Sequence, residues 1–160
     1  MNLCFKQRGM AVNSDITDEA LFDLFEGSAI TRDNIDVYRH RAKRELVCQR
    51  CAACSHYIQP PRSFCPRCLS ADVSVQPIAG KGTVTVFSRV HVGAPAPGID
   101  YAAGHVIAVV ELEEQSGLRM AGPFMSPDHR SPVIGEPVEL VWIDRGSVPV
   151  PAFRSSTEEI

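Results

Sequence analysis

The sequence predicts a mainly β protein built from N-terminal helices, a cysteine-rich ribbon and then a five-stranded barrel. Three observations carry that prediction. Apolar residues at helical spacing stop near residue 46, two Cys-x-x-Cys pairs follow within 51–68, and alternating β-rich segments fill 73–154. A chain of 160 residues suits one compact domain or two small modules sharing an interface. The expected segments are 14–46 for the helices, 47–72 for the ribbon and 73–154 for the barrel, with tails at 1–13 and 155–160. Met10 is an alternative start to Met1, because the nine residues before it show no pattern.

The helices come first. Thr17 can cap a short one, with Asp18 and Glu19 in its electropositive first turn and Gly27 beyond its end. Leu21, Leu24 and Phe25 share one side of it. Thr31 can cap a second helix, "RDNIDVYRHRAKREL", in which Ile35, Tyr38, Ala42 and Leu46 recur at helical spacing. His40, Arg41, Lys43 and Arg44 occupy its other face, which is solvated unless something anionic covers it. Phe22, Phe25 and Tyr38 are candidate partner contacts, or else pack onto the ribbon or barrel.

Next comes the ribbon. Its spacing is Cys51-x2-Cys54, ten residues, then Cys65-x2-Cys68. Two such knuckles joined by a short hairpin can bring four thiolates to the corners of a tetrahedron, about 2.3 Å from one zinc ion. Bound metal lowers thiol pKa values and supplies folding energy that so short a segment cannot gain from a core. A redox pair is the alternative reading. Ser55 and Leu69 stand where a glycine often relieves the positive φ of a knuckle, which predicts less regular knuckle geometry. Cys48 could pair with Cys51 instead. Cys51 and Cys54 are preferred because the chain then runs directly into the hairpin "HYIQPPRSF", leaving Cys48 as a small packed side chain and Cys4 as incidental.

The barrel strands follow. "GTVTVFSRVHV" alternates, placing Val84, Val86, Val90 and Val92 on one face and Thr83, Thr85, Arg89 and His91 on the other. "HVIAVVELEE", "LRMAGPF", "VELVWID" and "VPVPAF" supply four more strands, with an irregular or short helical insertion between the third and fourth. Five strands in so few residues suit a partly open barrel of the OB type, a small sandwich being the alternative.

Charge divides the chain. Residues 31–70 carry eight Lys/Arg against three Asp/Glu, whereas 71–160 carry six against eleven. Arg41, Lys43, Arg44, Arg50, Arg62 and Arg67 are therefore candidates for an anionic ligand or partner. No apolar run reaches the roughly 20 residues of a membrane span. The N-terminus lacks a signal-peptide core, so a cytoplasmic location with reduced thiols is expected. The five histidines make no zinc-protease spacing, and no nucleophile elbow or phosphate loop is present, so independent catalysis is not expected.

"LVCQRCAACSHYIQPPRSFCPRCLS", "GKGTVTVFSRVHV", "IGEPVELVW" and "PAF" together resemble an acyl-CoA-associated family that joins a rubredoxin-like zinc ribbon to an OB-fold. The resemblance covers roughly residues 17–154. It implies one structural zinc per chain and a non-catalytic accessory subunit. The implied partners are thiolase-like or synthase-like catalytic subunits, or hydratases, handling acyl-CoA or a related donor. Acetyl transfer to a phloroglucinol-type ring is one such reaction. The basic segment would then meet coenzyme A phosphates or acidic patches of the partner. A different class of function, single-stranded nucleic-acid binding, also suits a zinc ribbon with an OB-fold, but the acidic barrel and an aromatic content of 7% argue against it.

Overall fold

The computed structural model describes residues 16–157. Cys4 and Met10 lie outside them. Helix α1 (Asp18–Leu24) starts where the sequence predicts, with the Thr17 hydroxyl accepting from the Ala20 amide at 3.3 Å. Leu21 and Phe25 are buried, and Gly27 turns the chain at φ 77°. Phe25 meets Tyr38 edge-on, centroids 5.0 Å apart, so of the three aromatic partner candidates only Phe22 is strongly exposed.

Helix α2 (Ile35–Ala42) is shorter at both ends than the segment 32–46 that the sequence predicts, and its cap is not Thr31. At the front, the Asn34 side chain accepts from the Thr31 amide (2.7 Å) and donates to the Ala29 carbonyl (3.0 Å), holding residues 31–34 in a turn. At the back, Arg44 takes φ 59°, its N–H reaches the Arg41 carbonyl, and the Glu45 N–H reaches that of His40. That pair of bonds is a Schellman closure, which glycine usually makes. Leu46 therefore leaves the helix and leads into β1.

Strands β1 (Val47–Cys51), β2 (Tyr57–Ile58) and β3 (Val73–Pro77) form an antiparallel sheet in the order β2-β1-β3. The ribbon sheet thus continues through Val73–Pro77, which pairs with β1 along its whole length. Strands β4 (Lys81–Val90), β5 (His105–Leu112), β6 (Arg119–Met125), β7 (Pro137–Arg145) and β8 (Val148–Ser155) form a closed barrel in the order β4-β5-β6-β8-β7. Only β6 and β8 run parallel. This is the OB arrangement, fully closed rather than partly open, and the connection between β6 and β7 contains no helix.

Barrel filling follows strand alternation. Val106, Ala108, Val110 and Leu112 point inward from β5. On β4 the expected face breaks. The register slips between Val84 and Val86, a β-bulge that puts Val84 inside and Val86 outside at 50% exposure, while Phe87 packs on the core. Val92 lies beyond the strand and is exposed.

The ribbon and barrel share packing. Cys48 joins Val84, Val110 and Phe153 in the main core, with Tyr57 and Ile78 against it. Gln115, in the turn after β5, accepts from the Tyr57 amide at 2.9 Å and donates to the Tyr57 carbonyl at 3.2 Å. One side chain thereby completes the free edge of β2, as a neighbouring strand would. Buried Gln49 does similar work on the other side, accepting from Arg62 N and donating to the Asp33 carbonyl.

Candidate metal centre

The four knuckle cysteines converge from two matching turns. In the first, the Ser55 amide donates to the Cys51 carbonyl and the Cys51 amide donates to the His56 carbonyl, both at 2.9 Å. In the second, Leu69 donates to Cys65 at 2.9 Å and Cys65 donates to Ser70 at 2.8 Å. Ser55 and Leu69 adopt φ 61° and 62°, the left-handed conformation that glycine would take without strain. The expected irregularity is absent: the two side chains tolerate the turn, and both knuckles make the same two backbone bonds.

The sulfur atoms of Cys51, Cys54, Cys65 and Cys68 all lie within 4.8 Å of one another. Two cross-knuckle pairs, Cys51 with Cys68 and Cys54 with Cys65, are 3.6 Å apart. A tetrahedron with zinc–sulfur bonds of about 2.3 Å has edges of about 3.8 Å. The set fits a four-coordinate metal closed to solvent ligands. The electrostatics agree. Burial raises the Cys65 thiol, but the amides of Cys68 and Arg67 outweigh it and bring it down to about 7. Cys68 has the Ser70 amide lowering it, yet the Cys54 sulfur and its other neighbours push it up to about 12. Sulfurs this close cannot all ionise alone, and a divalent cation removes that conflict.

Cys48 stands apart from this set. It is buried, its thiol faces the Ile58 carbonyl at 3.6 Å, and burial pushes its pKa up to about 11. It packs as a small apolar side chain.

The six basic candidates do not form one surface. Arg41 donates from Nε to the Pro149 carbonyl at 2.8 Å and lies over the rings of Phe25 and Tyr38, pinning α2 to β8. Arg44 pairs with Asp144 at 2.7 Å, on β7. Arg50 bonds the Ser55 carbonyl and covers Tyr57. Lys43 is exposed on the helix end, whereas Arg62 and Arg67 project from the ribbon beside exposed Phe64 and Leu69. Sequence spacing could not separate these roles, because the carbonyl and carboxylate that engage Arg41 and Arg44 come from strands about a hundred residues later.

A cleft of about 230 Å³ opens where α2, the ribbon and the barrel meet, lined among others by Tyr38, Arg41, Pro61, Met120 and Trp142. No helix among the described residues is long and apolar enough to cross a membrane.

Comparison with known proteins identifies this architecture. The family model for the rubredoxin-like zinc ribbon domain of ChsH2 matches residues 39–74, and that for the ChsH2 C-terminal OB-fold domain matches 75–143. A solved structure described as an Ltp2-ChsH2(DUF35) aldolase contains a chain 35% identical to this one, with a TM-score of 0.70 over 81% of this chain and 99% of that one. A DUF35-family protein of unknown function from Sulfolobus solfataricus has the same fold at 12% identity, with a TM-score of 0.55 over 84% of this chain and 92% of that one. A probable enoyl-CoA hydratase alpha subunit from Thermomonospora curvata is 35% identical over 82% of this chain, which spans only 40% of that relative. The chain belongs to the ChsH2 (DUF35) family of proteins that join a rubredoxin-like zinc ribbon to an OB-fold.

Proposed function

We propose that this chain is a zinc-binding accessory subunit of an assembly that processes acyl-CoA or a related acyl thioester. The observation that carries the reading is its 35% identity across 99% of the chain seen in the Ltp2-ChsH2 aldolase. Cys51, Cys54, Cys65 and Cys68 hold one structural zinc. Four thiolate ligands would leave a zinc ion no open position for an activated water, so its role there would be to fix the hairpin between the knuckles. Arg41, Arg44, Gln49 and Gln115 tie helix, ribbon and barrel into one body. Such a body suits bridging catalytic subunits of thiolase or synthase type and shaping the route to their acyl site. The hydratase relative supports the acyl-CoA class and leaves aldol, acyl-transfer and hydration partners as alternatives to be distinguished.

Arg62 and Arg67, with Phe64 and Leu69 between and beside them, are the ribbon residues best placed to meet an acidic partner surface or a coenzyme phosphate. The test is co-expression with catalytic chains encoded beside this one. A complex that survives gel filtration, with turnover of an acyl-CoA substrate that needs both chains, is expected. Replacing Arg62 and Arg67 by Ala should weaken assembly or raise the substrate KM, and less so at high salt. Full activity and native assembly of the catalytic chains without this one would contradict the reading.

A further inference from the structure

A second cleft, also about 230 Å³, is lined by the start of β5, the ends of β6 and β7, and loop residues 98–104 and 126–130. Its base is apolar: Val106 and Phe124 are buried there, beside Ile143. Its polar wall carries both signs, with Asp100 beside the cationic side chains. Of the six Lys/Arg in residues 71–160, Arg130 and Arg145 line it, and Arg89 braces its back wall. Arg89 does so by bonding the carbonyls of Ala103 and His129 and the Ser131 hydroxyl.

Of the neighbouring carboxylates, Glu136 is paired with a cation, while Asp100 and Asp128 accept from neutral donors. Glu136 takes Arg130 through two bonds of 2.7 and 3.1 Å. Asp100 accepts from the amides of Ala102 and Ala103, and Asp128 from the Ser126 hydroxyl and the Arg130 amide. Arg145 is different. It meets no carboxylate among the described residues; it donates to His105 Nε2 at 2.8 Å, and its Nε is buried without a partner. Because a guanidinium only donates, His105 Nε2 accepts and its proton sits on Nδ1. A half-buried cation left without a counter-charge is costly, and an anionic ligand would offset that cost. Burial lowers the pKa of Arg145, so its charged form gains from an added negative charge, and burial together with the Arg145 charge lowers that of His105. His129, at the cleft rim, holds a left-handed φ of 56°, a strain that clusters at binding sites.

We propose that this cleft binds a small organic carboxylate, its charged end held by Arg145 and its apolar body lying on Val106, Phe124 and Ile143. The volume admits a molecule the size of about eight waters, enough for a short-chain or single-ring acid. The site is independent of the accessory role proposed above.

Calorimetric titration of the full, metal-loaded chain with benzoate and with butyrate tests it, benzamide and inorganic phosphate serving as comparisons. Saturable one-site binding of a carboxylate is expected, with benzamide and phosphate at least about tenfold weaker. Arg145→Gln should abolish binding. Ala103→Glu, an exposed substitution on the cleft wall, should do the same by placing a carboxylate at its mouth, and it serves if Arg145→Gln fails to fold. Equal affinity for benzamide or phosphate would overturn the proposal. So would undiminished carboxylate binding in the variants, or no binding up to about 10 mM of either acid.

Discussion

Gly82→Ala should be the most damaging single-methyl addition in the barrel. Gly82 sits where β4 is paired on both sides, with Leu112 of β5 and Val138 of β7. A Cβ built there meets the Glu111 carbonyl oxygen at 2.2 Å and Val110 Cγ1 at 2.7 Å. Carbon and carbonyl oxygen normally come no closer than about 3.3 Å, so the β4 and β5 backbones must part by about 1 Å. They must do so beside a barrel closure of only three residue pairs, Lys81 with Glu139, Gly82 with Val138 and Thr83 with Pro137. Overpacking of this kind costs about 1–3 kcal/mol, and the upper end applies here because the obstacle is backbone. For a domain of this size that corresponds to a fall in Tm of roughly 6–12 °C. Thermal unfolding followed by near-ultraviolet circular dichroism measures it. Gly117→Ala is the control: Gly117 has φ 80° and nothing within 4 Å of a Cβ, so it carries only conformational strain. A Gly82→Ala Tm within about 2 °C of the parent would refute the steric reasoning.

Two further outcomes follow from single contacts. Gln115→Leu removes both bonds to the Tyr57 backbone and should cost about 1–3 kcal/mol; faster amide exchange at Tyr57, with barrel amides unchanged, would locate the loss at the ribbon junction. Glu136 has its carboxyl held down to about 2 by Arg130 and the Val133 amide, against burial. A depressed carboxylate stabilises the fold fully above its ordinary value of 4.5, and that stabilisation is lost as pH falls toward 2. The loss amounts to at most about 3 kcal/mol, and Glu136→Gln should flatten the acid limb of the stability–pH curve.

Much of the fold was legible because local signals agreed with it. Thr17 caps α1 as its hydroxyl suggests, the five barrel strands form in the expected segments, and the two Cys-x-x-Cys pairs bring their sulfurs together. What stayed hidden was non-local or stereochemical. The β4 bulge reverses Val86 with no glycine to announce it, since only the register against β5 reveals the slip. Leu46 kept helical spacing, yet Arg44 accepted a left-handed φ that composition assigns to glycine, and the helix closed early. Gln49 and Gln115 look like ordinary polar residues, and their roles exist only once the ribbon lies against the barrel and helix turn. Arg145 and His105 are forty residues apart and meet only because β5 starts and β7 ends at the same rim.

Zinc content per chain tests the metal centre most directly. Elemental analysis of protein purified without added metal should give one zinc per chain. Cys65→Ser should lose the metal and unfold the ribbon, because binding energy there is largely folding energy. Cys48→Ser, outside the four-sulfur set, should keep it. Metal-free wild-type protein with an intact ribbon, or a Cys65→Ser variant that still carries one zinc, would contradict the assignment of Cys51, Cys54, Cys65 and Cys68 as its ligands.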